Sequence, residues 1–224
     1  MKVVIFGGSG LIGDGFVQES LRAPDVTDVI TVGRSPMGTP HPKQRHVVHD
    51  DFLDLSAIRT DLDGVDACFW GLGVSAVGMS PHDYERVTYD YTMAAARTLA
   101  ELNPDLTFAY LSGAGTDSTE QGRSRWARVK GRTENAIINA FPHGYALRPA
   151  FVLPAHQQRS KTRSYRWGTA AITPLAPLIR RLTDAAMTDT AQIGQAALHL
   201  ARQGHPRHVL ENRDIVALAT PPHP

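Results

Sequence analysis

The stretch GGSGLIG, Gly7 to Gly13, combines what a bound anion needs from a backbone: little side-chain bulk, a tight turn and N–H groups left free at the start of a helix. It follows the apolar run KVVIF (Lys2 to Phe6) and opens a segment in which Leu11, Ile12, Phe16, Val17 and Leu21 fall near one helical stripe. In that setting Gly8-x-Gly10-x-x-Gly13 and Gly7-x-x-Gly10-x-x-Gly13 both satisfy the dinucleotide fingerprint. One glycine makes the turn, one admits a pyrophosphate against the backbone, and one lets helix and strand pack closely. Gly7, Gly10, Leu11, Ile12 and Gly13 are therefore cofactor-binding candidates, with a purely structural glycine turn as the alternative.

The next strand candidate, DVITV (Asp28 to Val32), runs into Gly33 and Arg34. An acidic residue here would hydrogen-bond a ribose 2′-hydroxyl; a guanidinium suits a 2′-phosphate instead, by charge and by its forked donors. Arg34 thus points to NADP rather than NAD, unless it is an ordinary solvated loop arginine. Asp25 and Asp28 lie at the wrong end of the strand for the ribose. After the third strand candidate, HVVH, Asp51 and Phe52 are placed to flank an adenine, although one of these aspartates can equally cap the following LDLSAI segment. Gly71, Leu72 and Gly73 follow the fourth strand candidate, ACFW, at the edge where open α/β sheets bind ligands.

A second chemical stretch is RWARVKGRTE, Arg125 to Glu134, in which Trp126 precedes Lys130 by four residues. That spacing puts indole and ammonium on one helical face, toward the sheet edge. An indole N–H donates a hydrogen bond but is no proton donor near neutral pH. Trp126 can wall a ligand site or pack as a core aromatic with Val129 and Ile137. Arg123, Arg125, Arg128 and Arg132 around it read as a solvated face, and no nucleic-acid partner is expected. His46 and His49 fall on opposite strand faces and His205 and His208 flank a proline, so no metal site is expected. His156, Arg159, Lys161 and Arg163 can line a substrate mouth or a solvated loop.

These residues need elements to hold them. Strand candidates, including FAYL (Phe108 to Leu111) and YAL (Tyr145 to Leu147), alternate with helical patterns over Asp83 to Leu102 and Trp126 to Ala140. Alternation of this kind predicts an α/β fold in three layers, a doubly wound, mostly parallel sheet of Rossmann type. At 224 residues the chain fits one domain, residues 1–218, with 151–190 a small C-terminal substrate-side appendage and 219–224 a fraying proline-rich tail. With 42% hydrophobic residues, 20% charged and a net charge of +1, the composition is that of a soluble globular protein and implies no strongly charged partner. The apolar start is too short for a secretory signal and no apolar run is long enough to span a bilayer, so a cytoplasmic protein without membrane attachment is expected. The single cysteine, Cys68, reads as a small buried hydrophobe.

Taken in order, GGSGLIG, RVTYDYTMAAARTLAE, LSGAGTDSTEQGRSRWARVKGRTE and ALRPAFVLP resemble the short-chain dehydrogenase/reductase superfamily, in particular its atypical NAD(P)-binding members, the Tat-interacting-protein-like oxidoreductases and epimerase-like proteins. The resemblance runs from Met1 to about Asp214. It implies a serine at the end of the fifth strand and a Tyr-x-x-x-Lys on the next helix. Ser112 matches the serine, which in the family orients the substrate carbonyl; beside Gly113 and Gly115 it can equally be an ordinary strand-end turn residue. Lys130 matches the lysine, which holds the nicotinamide ribose. Trp126 stands where the acid/base tyrosine would be, and that role does not carry over. Tyr84, Tyr89, Tyr91 and Asp117 are the neighbouring groups able to donate a proton, none at a motif position. The resemblance implies an NADP-dependent carbonyl reductase with a nonstandard proton donor acting on a small molecule, in a chain that can pair as a homodimer. The alternatives are a non-catalytic nucleotide-sensing regulatory protein and, with only a short region after Pro149 to build its pocket, a sugar-nucleotide epimerase.

Overall fold

The computed structural model describes residues 1–35, 41–155 and 187–219. The expectations for His156, Arg159, Lys161 and Arg163, and for the tail beyond Ala219, lie outside the described residues.

Seven parallel strands form the main sheet: β1 (Lys2–Phe6), β2 (Asp28–Gly33), β3 (Gln44–Val48), β4 (Ala67–Trp70), β5 (Thr107–Leu111), β6 (His143–Arg148) and β9 (Val209–Glu211), in the order β3-β2-β1-β4-β5-β6-β9. β7 (Phe151–Leu153) and β8 (Met187–Asp189) pair in parallel as a separate two-stranded sheet. The expected mostly parallel sheet is thus parallel at every described pairing. Among the described residues the α-helices are α1 (Leu11–Arg22), α2 (Pro81–Glu85), α3 (Tyr91–Leu102), α4 (Arg125–Ala140), α5 (Thr190–Gln203) and α6 (Asn212–Ala219); a π-type turn, Arg86–Asp90, joins α2 to α3.

Successive strand residues point to opposite faces, and the sequence is apolar on both because helices cover both. On one face Val4, Phe6, Ile30, Val32, Cys68, Trp70 and Phe108 pack with Ala95 and Leu99 of α3 and Ile137 of α4. On the other, Val3, Ile5, Val29, Phe69, Ala109 and Leu147 pack with Phe16 of α1 and with Ile193 and Ala197 of α5. Cys68 is fully buried, and its desolvation pushes the thiol pKa up, as befits a hydrophobe.

Strand order reverses between β1 and β4. The loops that leave their carboxyl ends therefore diverge, one toward each face, and open a crevice. Gly7–Gly13 leaves β1 there and Gly71–Gly73 leaves β4. Among the described residues no helix is long and apolar enough to cross a membrane.

Candidate functional site

The glycine turn is built by contacts that exclude side chains. Gly7 has φ +77°, and its carbonyl accepts the Gly10 N–H at 2.9 Å. A Cβ on Gly7 would lie 2.5 Å from the Leu72 nitrogen, and one on Gly13 would lie 2.0 Å from the Gly7 oxygen. So Gly7 is fixed by its dihedral angle and by the β4 loop, and Gly13 by the closeness of α1 to the turn. Gly10 caps α1 with no side-chain hydrogen bond, leaving the first-turn N–H groups of Leu11, Ile12 and Gly13 without intrahelical acceptors. Free N–H groups at a helix start are the donors that anions bind.

Beside the turn lies a cavity of about 300 Å³, bordered by Gly8, Ser9, Gly33, Arg34, His46 and Phe52 and closed by Gly71–Gly73. Arg34 is exposed at its rim, and no carboxylate among the described residues pairs with it. Phe52 is buried, set edge-on to Phe6 at 6.4 Å and tilted against Tyr91 at 5.6 Å, and it offers an aromatic wall. Asp51 is exposed and bonds the Leu53 N–H of its own turn at 3.0 Å. Asp54 makes the bond at the start of the next helical turn, to the Ser56 N–H at 2.8 Å. Asp25 pairs with Arg202 at the amino end of β2, far from the cavity.

Two histidines that sequence reasoning set aside serve this region separately. His49 Nε2 stands 2.7 Å from the Asp51 carbonyl and 2.9 Å from that of Asp54, which shapes the loop carrying Phe52. His46 Nδ1 stands 2.9 Å from Thr31 Oγ1, while its Nε2 is buried at the cavity with no hydrogen-bond partner. Only the cross-strand register that sets His46 opposite Thr31 reveals this arrangement.

Ser112 directly follows β5, Lys130 reaches the last carbonyl of that strand, and Trp126 stands beside Gly115 of the loop that leaves it. Ser112 is buried, its Oγ 3.0 Å from Thr116 Oγ1. Thr116 donates in turn to the Gly113 carbonyl at 2.8 Å. Lys130 Nζ donates to the Leu111 carbonyl at 3.3 Å and lies 5.7 Å from the Tyr110 ring centre. Desolvation brings the Lys130 pKa down to about 8, against the opposing pull of Glu134. Trp126 is not a core residue: it is 37% exposed, and its indole edge comes within 3.6 Å of where a Cβ on Gly115 would stand. It stands in the first turn of α4, and at that exposure it is not the buried core aromatic that packing with Val129 and Ile137 would make it.

The neighbouring proton donors are engaged elsewhere. Tyr84 is buried, with its pKa raised by desolvation. Tyr89 lies under the Arg132 guanidinium at 3.8 Å, and Arg132 also pairs with Glu85. Tyr91 packs on Phe52. Asp117 accepts from Thr119 Oγ1 and from the Gly122 N–H, bonds that hold its pKa low and make it a loop brace.

One pair was not singled out in the sequence. Glu134, fully buried, receives Arg148 in two bonds, Nε to Oε1 at 2.9 Å and Nη2 to Oε2 at 2.5 Å, and Arg148 reaches Glu211 at 3.0 Å. This links α4 to β6 and β9 and sets the height of Lys130, one helical turn earlier. A larger open depression of about 560 Å³ lies at the opposite, amino-terminal edge of the strands, beside Asn103 and Arg202. Two of its polar side chains are already paired, Asn103 with Val65 and Leu62 and Arg202 with Asp25.

No protein-family model matches the chain, and no curated protein matches its sequence. Solved structures do match. The Bordetella bronchiseptica enzyme WbmF in complex with NAD+ aligns with TM-score 0.68 and 17% identity over 97% of this chain and 76% of its own. A UDP-galactose 4-epimerase aligns with TM-score 0.67 and 16% identity over 94% and 76%. The dTDP-glucose 4,6-dehydratase of Bacillus anthracis in complex with NAD aligns with TM-score 0.65 and 12% identity over 94% and 74%. The chain shares the fold of these enzymes, a doubly wound parallel sheet of Rossmann type. It spans about three quarters of these enzymes' length. At such identities the likeness extends to the fold, and the site must be argued from its own residues.

Proposed function

We propose that the protein binds NADP(H) in the crevice of the glycine turn and uses it, in the cytoplasm, to reduce a carbonyl of a small molecule, the proton coming from a group other than Trp126. The observation that carries the reading is the side-chain-free cradle of Gly7, Gly10 and Gly13 opposite Gly71–Gly73, with an arginine at the rim of the adjoining cavity that pairs with no carboxylate among the described residues. The α1 N-terminus and the turn hold the pyrophosphate, Phe52 lies against the adenine, and Arg34 takes the 2′-phosphate that NAD lacks. The cofactor supplies hydride chemistry; the chain supplies binding, orientation and proton control. Lys130, at the end of β5, holds the nicotinamide ribose. Ser112 orients the carbonyl, its hydroxyl turning away from Thr116 to do so. Trp126 and the loop at Gly115 wall the substrate side. Proton delivery falls to the Lys130 ammonium, whose pKa of about 8 suits the task, or to water.

A second reading, a nucleotide-sensing regulatory protein, is favoured by the exposed indole where a phenol would act and by the engagement of the nearby tyrosines. Turnover separates the two. Replacing Trp126→Tyr restores a phenol four residues before Lys130; a positioned general acid is worth about 10² to 10⁴ in rate, and NADPH-dependent reduction over a carbonyl panel is expected to rise by at least about tenfold. Nucleotide binding with no turnover in either form establishes the regulatory reading.

A further inference from the structure

His46 is the one titratable side chain at this cavity with a buried, unpartnered nitrogen among the described residues. Its ring is fixed from behind. Thr31 Oγ1 receives the Gln44 side-chain amide at 3.4 Å, and its single proton has two places to go: His46 Nδ1 at 2.9 Å, or the Arg45 carbonyl at 3.5 Å. The ring keeps its Thr31 contact in either tautomer; facing a phosphate, which only accepts, Nε2 carries the proton and Nδ1 accepts from Thr31. A buried N–H without an acceptor is an unmet demand that a ligand oxygen can satisfy. Gly33 keeps the ring edge clear: a Cβ there would come within 3.6 Å of Cε1, the atom next to Nε2. The following residue is Arg34, so cationic fork and imidazole donor flank one corner of the cavity, beside Gly8 and Ser9 of the turn.

We propose that His46 is a specificity-determining residue that donates Nε2–H to the ribose 2′-phosphate beside Arg34, the ring being held in place by its contact with Thr31. The proposal rests on the NADP reading of the site. Arg34 supplies charge from an exposed, mobile-stemmed side chain; His46 supplies a donor held by the sheet, so the phosphate is recognised by position as well as by sign.

The test is calorimetric titration of the full chain with 2′,5′-ADP and with 5′-AMP, fragments that differ by that phosphate alone. The wild type is expected to prefer 2′,5′-ADP. His46→Asn keeps a partner for Thr31 and removes the Nε2 donor; it is expected to weaken 2′,5′-ADP about tenfold, as loss of a hydrogen bond to a charged group does, and to leave 5′-AMP unchanged. His46→Gln, which can place an amide N–H near the Nε2 position, should recover most of the loss. An unchanged ratio of the two affinities in His46→Asn, or an equal loss for both ligands, overturns the proposal while Arg34→Ala still abolishes the preference. No preference in the wild type overturns the NADP reading itself, and the proposal with it.

Discussion

Lys130 is the residue whose burial has the most measurable consequence. Its ammonium is held against the Leu111 carbonyl, with its pKa brought from the ordinary 10.5 down to about 8. Between those values the unfolded chain keeps a proton that the fold has released, so this group makes stability rise with pH from about 8 upward; below about 8 the desolvation cost is present in full. Lys130→Met is therefore expected to stabilise the protein in urea unfolding at pH 7, and to stabilise it less at pH 9.5. An equal gain at both would place the ammonium in water. Trp126 shows why one residue type misleads: helical phase pairs it with Lys130, yet a first-turn position lets it escape the core that its size suggests.

At the scale of elements, the approach of α1 to α5 sets the back wall of the glycine turn. A Cβ on Gly15 would lie 2.5 Å from the Thr190 carbonyl, and one on Gly194 would lie 2.9 Å from the Gly15 oxygen. Backbone opposes backbone at both positions, so neither contact relaxes by a rotamer change. Gly15→Ala is expected to cost about 1–3 kcal/mol in overpacking. For a chain of this length that lowers the melting temperature by roughly 2–4 °C per kcal/mol. Gly73→Ala, where a Cβ meets nothing within 4 Å, serves as the neutral control; equal melting temperatures for the two variants would refute the close packing. The α4–β6 junction rests on Glu134 and Arg148. Glu134→Ala leaves the Arg148 guanidinium, 12% exposed, without its main partner, and a broken buried pair costs about 3–5 kcal/mol. Replacing both by Met should recover much of that loss in chemical denaturation; a double variant as unstable as the single one would assign the cost to packing alone.

Across the whole molecule, the parts legible in the sequence are those encoded by neighbours in the chain. The glycine turn is local backbone chemistry, and the strand runs announce a sheet covered on both faces. Arg34 and Phe52 could be set at the crevice because they follow strand ends. What stayed hidden depends on distant pairing. His46 acquires its environment from the β2–β3 register, Glu134 from Arg148 across two elements, and Gly194 from α1 at the other end of the chain. The three-residue strands β7 and β8 are too short to carry a pattern. Ser112 and Lys130 were placed by resemblance, and the reach of Lys130 to the Leu111 carbonyl is a tertiary fact.

The central claim is that the cleft of the glycine turn holds NADP(H), whatever the chemistry that follows. Fluorescence titration with NADPH and NADH on the wild type and Arg34→Ala measures it directly. Saturable binding is expected, with NADPH the tighter ligand and Arg34→Ala losing about ten- to a hundredfold for NADPH while keeping NADH. Absence of saturable binding by either nucleotide would contradict the account, and equal affinities would remove Arg34 from the 2′-phosphate.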